Sequence, residues 1–252
     1  MEIVSGRTGI PHVTSQQFRQ FIEGTVGQDS YILRSGEKLE PELASNNSLK
    51  IRSGMMCHHG NISSIKIGTY DEVELTNGTQ GMKRIDLVVN RYTRNEEDNT
   101  EKNEWVVIMG TPAESNPAVP EYIKGNLQNG DLADDCPVFE VHFDGINIVE
   151  VTKKLEIAKT NKELAAKLPV YGTTALIETS ANSYKDTTVK FGKTFSKAPV
   201  VVISLSGGSQ NTKTFGVAVL STGTSSCVIR TVNGNNSSVS IMVNWCAFPK
   251  GA

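Results

Sequence analysis

The sequence is poor in the residues that catalysis most often uses. Four histidines and four cysteines are spread over 252 residues, and aromatic side chains make up only 6%. Cys57, Cys136, Cys227 and Cys246 form no C-x-x-C pair and no disulfide framework, so buried free thiols are expected. Cys227 and Cys246 fall in segments that can be neighbouring strands, which leaves a bridge between them open. No apolar run approaches the roughly 18 residues that cross a bilayer, so no membrane insertion is expected. The first residues have neither a basic start nor an apolar core, so no secretory signal is expected. A formal net charge of -2 offers no concentrated basic face, which argues against nucleic acid as a partner. There is no G-x-S-x-G elbow, no H-E-x-x-H helix and no phosphate-cradling glycine loop. The sequence therefore reads as a binding or structural protein, not an enzyme, and assigns no cofactor.

What is present is strand pattern. Hydrophobic residues make up 38%, which suits modest cores more than one deep one. Near the C-terminus Val239, Ile241, Val243 and Trp245 alternate with Ser240, Met242, Asn244 and Cys246, the period of a half-buried strand. Five more short strands are expected at 173–180, 187–195, 199–206, 214–220 and 225–232, separated by Gly, Ser and Asn turns. Together they predict a six-stranded antiparallel β-sandwich over 171–252. Trp245 lies on the apolar face and is expected in the core. The loops 207–213 and 233–238 are rich in amides and hydroxyls, the groups that hydrogen-bond sugars. Asn211, Lys213, Arg230, Asn233 and Asn235 are the candidate ligand contacts, the amides orienting hydroxyls and the cations meeting acidic groups. Each has a plainer reading as turn chemistry.

Residues 1–150 predict a mainly β domain with one helix. Thr14 and Gln17 are placed as a capping box, Phe18, Phe21, Ile22 and Val26 follow at helical spacing, and Gly27 closes the segment. Strands are expected at 48–52, 64–68, 71–75, 84–92, 104–109 and 138–143. The Asn77-Gly78 and Asp144-Gly145 dipeptides mark turns. The stretch 94–103 is expected as an exposed hairpin tip and 112–135 as a surface wrap. The pairs Asp71-Glu72 and Asp134-Asp135 read as solvated charges, and His142 as solvent-facing. Cys57, His58 and His59 form a weak metal candidate. On a strand the two imidazoles would point to opposite faces, and only a turn would let them share an ion.

Between these regions the chain is rich in Lys, Glu, Ala and Leu until Pro169. Ile157, Asn161, Leu164 and Leu168 fall at a/d spacing, which predicts a helix over 152–168 within a linker at 151–170. It is either a self-associating neck or an amphipathic helix packed on its own domain. Two heptads alone are too short to hold together in water.

The opening Ile3-Val4-Ser5-Gly6-Arg7 and the run Asn77-Gly78-Thr79-Gln80-Gly81-Met82-Lys83-Arg84-Ile85-Asp86 resemble tail and baseplate proteins of phages and prophages of Gram-positive bacteria. The resemblance covers about 1–150 and implies a particle-anchoring part. Val189-Lys190-Phe191, then Phe195-Ser196-Lys197-Ala198-Pro199, and Val243-Asn244-Trp245-Cys246-Ala247 resemble the C-terminal sandwich of phage tail fibres and H-type lectins. That second resemblance implies a homotrimer whose tips bind a host cell-surface glycan without turnover. It implies other tail or baseplate proteins as partners, and a virion location after assembly in the bacterial cytoplasm. The alternatives are a purely structural trimerising component, and a glycan-processing enzyme drawing its acids from 1–150.

Overall fold

The structure, a computed structural model, describes residues 13–208 and 214–250. The fold is mainly β, and the chain divides into two compact units, Met1–Ala158 and Lys159–Ala252.

The first unit opens with α1 (Ser15–Val26). Thr14 caps it by accepting the Gln17 N–H through Oγ1 at 3.1 Å, while the Gln17 side chain accepts the Thr14 N–H at 3.0 Å. This is the capping box expected from sequence. Nine strands follow: β1 (Tyr31–Leu33), β2 (Pro41–Ser45), β3 (Ser48–His58), β4 (Asn61–Glu74), β5 (Lys83–Arg94), β6 (Glu101–Ile108), β7 (Ala133–Asp144), β8 (Asn147–Lys153) and β9 (Glu156–Ile157). The long β3 takes β2 and then β1 along one edge and β4 along the other, and β9 adds in parallel outside β1. The second sheet runs β6-β5-β7-β8 and is antiparallel throughout. Their apolar faces share one core, with Ile32, Leu49, Ile51 and Met56 from one sheet against Val88, Val138, Phe139 and Val141 from the other. The two strands expected at 64–68 and 71–75 are one, β4, which passes through Gly68 in the left-handed region (φ 83°).

Three expectations change. The helix over 152–168 is confined to α2 (Asn161–Lys167). Val151, Thr152 and Lys153 pair with Val141, Glu140 and Phe139, while Leu155 and Ile157 pack on the first unit's core. Docking those apolar side chains outweighs weak helix propensity, and the Thr160–Glu163 capping box starts the helix only at 161. Two turns with Leu164 and Leu168 exposed do not make a coiled-coil neck. Secondly, α1 buries Arg19 and Ile22, while Phe18 and Phe21 face solvent. Arg19 decides this, because its guanidinium grips the Glu101 carboxylate at 3.2–3.4 Å and approaches the Tyr92 ring. Thirdly, Asp134 and Asp135 are not solvated, as each is 1% exposed.

The second unit holds α2 and seven strands: β10 (Val170–Thr173), β11 (Ile177–Thr179), β12 (Ser183–Lys190), β13 (Val200–Gly208), β14 (Phe215–Thr222), β15 (Ser226–Asn233) and β16 (Val239–Phe248). β10 and β11 lie one after the other along the same edge of β16, and β13 takes the other edge. The facing sheet is β12-β15-β14. The expected sandwich is present, its first strand broken into two short pieces. Val239, Ile241, Val243 and Ala247 are buried as the alternation requires. Trp245 packs on Phe191, with ring centroids 5.8 Å apart, and belongs to the core. Gly172 is what admits the indole, since a Cβ there would lie 2.8 Å from its ring. Cys227 and Cys246 sit on strands of opposite sheets, and all four thiols are free. Lys193 caps α2 through the Leu168 carbonyl at 2.7 Å.

Burial pushes the Glu101 carboxyl up, but hydrogen bonds and charge from Arg19 outweigh it, so the group titrates below its ordinary value of 4.5. A carboxylate held low stabilises the fold above that ordinary value and loses its contribution as pH falls through the lowered one. Hydrogen-exchange protection of the α1 amides, relative to the intrinsic rate at each pH, is therefore expected to fall on acidification below about pH 4.5. Glu101→Gln should lower that protection already at neutral pH and remove the acid step.

Candidate functional site

The end of the second sandwich carries a shallow cavity of about 410 Å³, lined by Asn182, Ser183, Tyr184, Arg230, Val232, Asn233 and Gly234. Register builds it. Asp186 on β12 lies directly opposite Arg230 on β15, and the two side chains meet in a two-pronged bond of 2.7 Å on each arm. The guanidinium carbon stands 4.2 Å from the centroid of the Tyr184 ring. Hydrogen bonding from Arg230 holds the Asp186 carboxyl below its usual range, and Asp186 raises Arg230 in turn. Arg230 is thus a charge already answered, fixed over an aromatic face.

The other candidate contacts divide. Asn233 is 1% exposed, and its amide donates to the carbonyls of Thr179, Ser180 and Ser237. Its Oδ1 accepts from the backbone and side chain of Asn235. Every polar atom of that side chain is committed to the loop, so Asn233 shapes the site and does not contact a ligand through its amide. Asn235 is half-buried, and its Oδ1 accepts from Thr214 at 2.8 Å. Asn211 and Lys213 lie outside the described residues. Tyr184 and Asp186 were missed in the sequence because only the β12–β15 register places them beside Arg230.

A second cluster lies in the first unit. β3 and β4 are joined by His59 (φ 46°) and Gly60 (φ 78°), both left-handed, the two-residue turn that matches the strand twist. Gly60 also sits under α1, where a Cβ would come within 2.5 Å of the Arg19 carbonyl oxygen. The turn brings the adjacent imidazoles into a stack with centroids 3.9 Å apart. Asp134, at the start of β7, lies against both. Its Oδ2 is 2.7 Å from His59 Nδ1 in an aligned hydrogen bond, and 3.0 Å from His58 Nε2 without hydrogen-bond alignment. Its Oδ1 accepts the Gly125 N–H at 2.8 Å. Burial alone would raise the Asp134 carboxyl, but the imidazoles and the Gly125 N–H hold it far below the usual range. The bond to Asp134 raises His59. The neighbouring Asp135 takes Arg91 at 2.6 and 2.8 Å and the Ile123 N–H at 3.0 Å.

Nothing local in the sequence ties residue 134 to residues 58 and 59. The link needs the segment after β6 to fold back, and Gly125 permits it, since a Cβ there would meet the Ala133 carbonyl at 2.1 Å. Cys57 is buried, and burial raises its thiol. His142 lies on the face opposite the buried Val141 and Phe143, as expected, and is partly covered, 3.4 Å from Glu140.

Removing the Asn233 amide leaves three carbonyls without their donor, and an unsatisfied buried group costs about 1–3 kcal/mol. Asn233→Ala should lower the stability of the second unit by roughly 2–3 kcal/mol in urea unfolding. Asn235→Ala, at a half-buried position, should cost less than about 1 kcal/mol. Equal effects from the two would contradict the shaping role given to Asn233.

Compared with known proteins, the chain matches no family model and no curated protein.

Proposed function

We propose that this chain is a tail or baseplate protein of a phage or prophage, and that its C-terminal sandwich binds a host cell-surface glycan without turning it over. The observation that carries the binding reading is the Tyr184–Arg230 pair lining the end cavity, with Asp186 fixing Arg230 from beside it. An aromatic face takes the apolar side of a sugar ring, and a fixed guanidinium–carboxylate pair offers a donor and an acceptor to neighbouring hydroxyls. Because Asp186 already answers Arg230, the pair favours neutral sugar hydroxyls over acidic groups. The lining residues supply amide, hydroxyl, phenol and guanidinium groups. Glycoside cleavage by the common route needs two carboxylates flanking the bond.

Self-association, the second part of the reading, is supported by the outer face of the β13-β16-β10 sheet. Val200 lies opposite Phe248, and Cys246 has Val202 on one side and Tyr171 on the other. Tyr171 is 82% exposed, Val202 56%, Val200 48% and Phe248 43%. Thr173, Ser204 and Asn244 complete the same face. Glu178, opposite Ser240 at the β11 end, puts a charge at the margin of this face, and the largely apolar remainder pairs with copies of itself with little like-charge conflict. With α2 too short for a neck, this face is the proposed homotrimer contact, and several tips in one particle would let each site be weak. The anchoring role of the first unit rests on the resemblance of its Asn77-to-Asp86 run. Arg84 and Asp86 of that run form a buried ion pair that also binds the Thr76 and Asn77 carbonyls and the Gly110 N–H.

Full-length protein applied to a glycan array should bind neutral glycans, and Tyr184→Ala and Asp186→Asn should each weaken binding at least about tenfold with the fold intact. Sedimentation should show a trimer that Val202→Lys dissociates. Absence of glycan binding in a correctly assembled trimer would favour the purely structural reading. Release of sugar from cell-wall material would overturn the no-turnover reading.

A further inference from the structure

We propose that His58 Nε2, His59 Nδ1 and Asp134 Oδ2 form a binding site for a divalent transition-metal ion, with zinc the ion that the donor set suits best. The three ligand atoms all lie within 4.8 Å of one another. Two imidazoles and one carboxylate are donors zinc favours, whereas magnesium and calcium prefer oxygen alone.

Several features of the fold are hard to explain without a ligand at this point. Adjacent residues on one strand would face opposite ways, yet the turn at His59 and Gly60 sends both rings to one carboxylate. His59 adopts the left-handed region to do so, at φ 46°, where Asn, Asp or Gly is the usual choice. His58 is 7% exposed, and its Nε2 is buried with no aligned hydrogen-bond partner. Its other nitrogen is 2.5 Å from Ser30 Oγ. With Nδ1–H donated to Ser30, Nε2 presents its lone pair to the site, which is how ligating histidines are commonly oriented. Asp134 is set in the same way, since Gly125 N–H holds Oδ1 and leaves Oδ2 for the ion.

The two spacings to Asp134 need only a small adjustment. Ligands about 2.0–2.1 Å from a tetrahedral zinc stand roughly 3.4 Å apart, against the present 2.7 and 3.0 Å to Asp134. Beside His59 lies a cavity of about 350 Å³, with Glu23, Asp29 and Asn126 in its lining. It gives ample room for a water as fourth ligand. The ion would pin the β3–β4 turn to the start of β7 and so tie together the two sheets of the first unit. This role is independent of glycan binding.

The test uses tag-free, full-length protein stripped with a chelator and titrated with zinc chloride by calorimetry and thermal denaturation. One equivalent per chain should bind with a Kd of about 1 µM or tighter and raise Tm, while magnesium chloride does neither. His59→Asn is the informative variant, because asparagine suits the left-handed turn and removes the imidazole. It should fold, with a lower metal-free Tm because the His59–Asp134 hydrogen bond is lost, yet bind zinc at least about tenfold more weakly. Ser30→Ala should weaken zinc binding by a smaller factor. Cobalt substitution should give the weak visible bands of a nitrogen–oxygen site. No zinc binding, binding unaffected by His59→Asn, or a strong thiolate charge-transfer band pointing to Cys57 or Cys136 would each overturn the site.

Discussion

A buried carboxylate must have partners, and the first unit is organised around two adjacent ones. Asp134 and Asp135 stand side by side at the start of β7, and both are almost wholly removed from water. An unpartnered ion there would cost several kcal/mol. Each is answered twice over, by a backbone N–H from the segment between β6 and β7 and by a cation or imidazole from a neighbouring strand or turn. The long irregular segment is thereby drawn against the sheet, and the β3–β4 turn is held over the end of β7. Breaking one partner leaves the other charge exposed to the same penalty, which makes the arrangement cooperative.

The strands were legible because their burial is one-sided. Alternation located β7 and β16, continuous apolar runs located β5 and β6, and the β14–β15 hairpin follows from its Gly-Thr-Ser turn, whereas β12 reaches β15 only through a long-range pairing. The α1 boundaries were legible because a capping box and a closing glycine are local signals. The failures share one physical origin, long-range competition. Leu155 and Ile157 carry helical spacing but gain more by joining a core already formed by β1 and β7. Phe18 and Phe21 match an amphipathic face, yet Arg19 turns the helix over to reach Glu101. Asp134 and Asp135 look like surface charge until Arg91, His58 and His59 are brought beside them by pairings some 40 to 75 residues distant in the chain. Of the tip residues, Arg230 was legible as a polar strand residue near a loop, while Tyr184 and Asp186 depend on register.

The two units divide the proposed work. The second offers a fixed aromatic–guanidinium–carboxylate group at the end of a sandwich and a largely apolar outer sheet face proposed for copies of itself. The first keeps several charged groups inside, in Arg84–Asp86, Arg91–Asp135 and the histidine–Asp134 cluster. Breaking one partner of such a buried pair leaves an uncompensated charge and is strongly destabilising.

The central claim is that Asp134 and Asp135 hold the segment between β6 and β7 in place. Residue-resolved hydrogen exchange at the Ile123 and Gly125 amides tests it most directly. The account predicts that both exchange as slowly as amides of β5 and β7, through the same unfolding event. Exchange at the rate of exposed loop amides, while the strands stay protected, would contradict it.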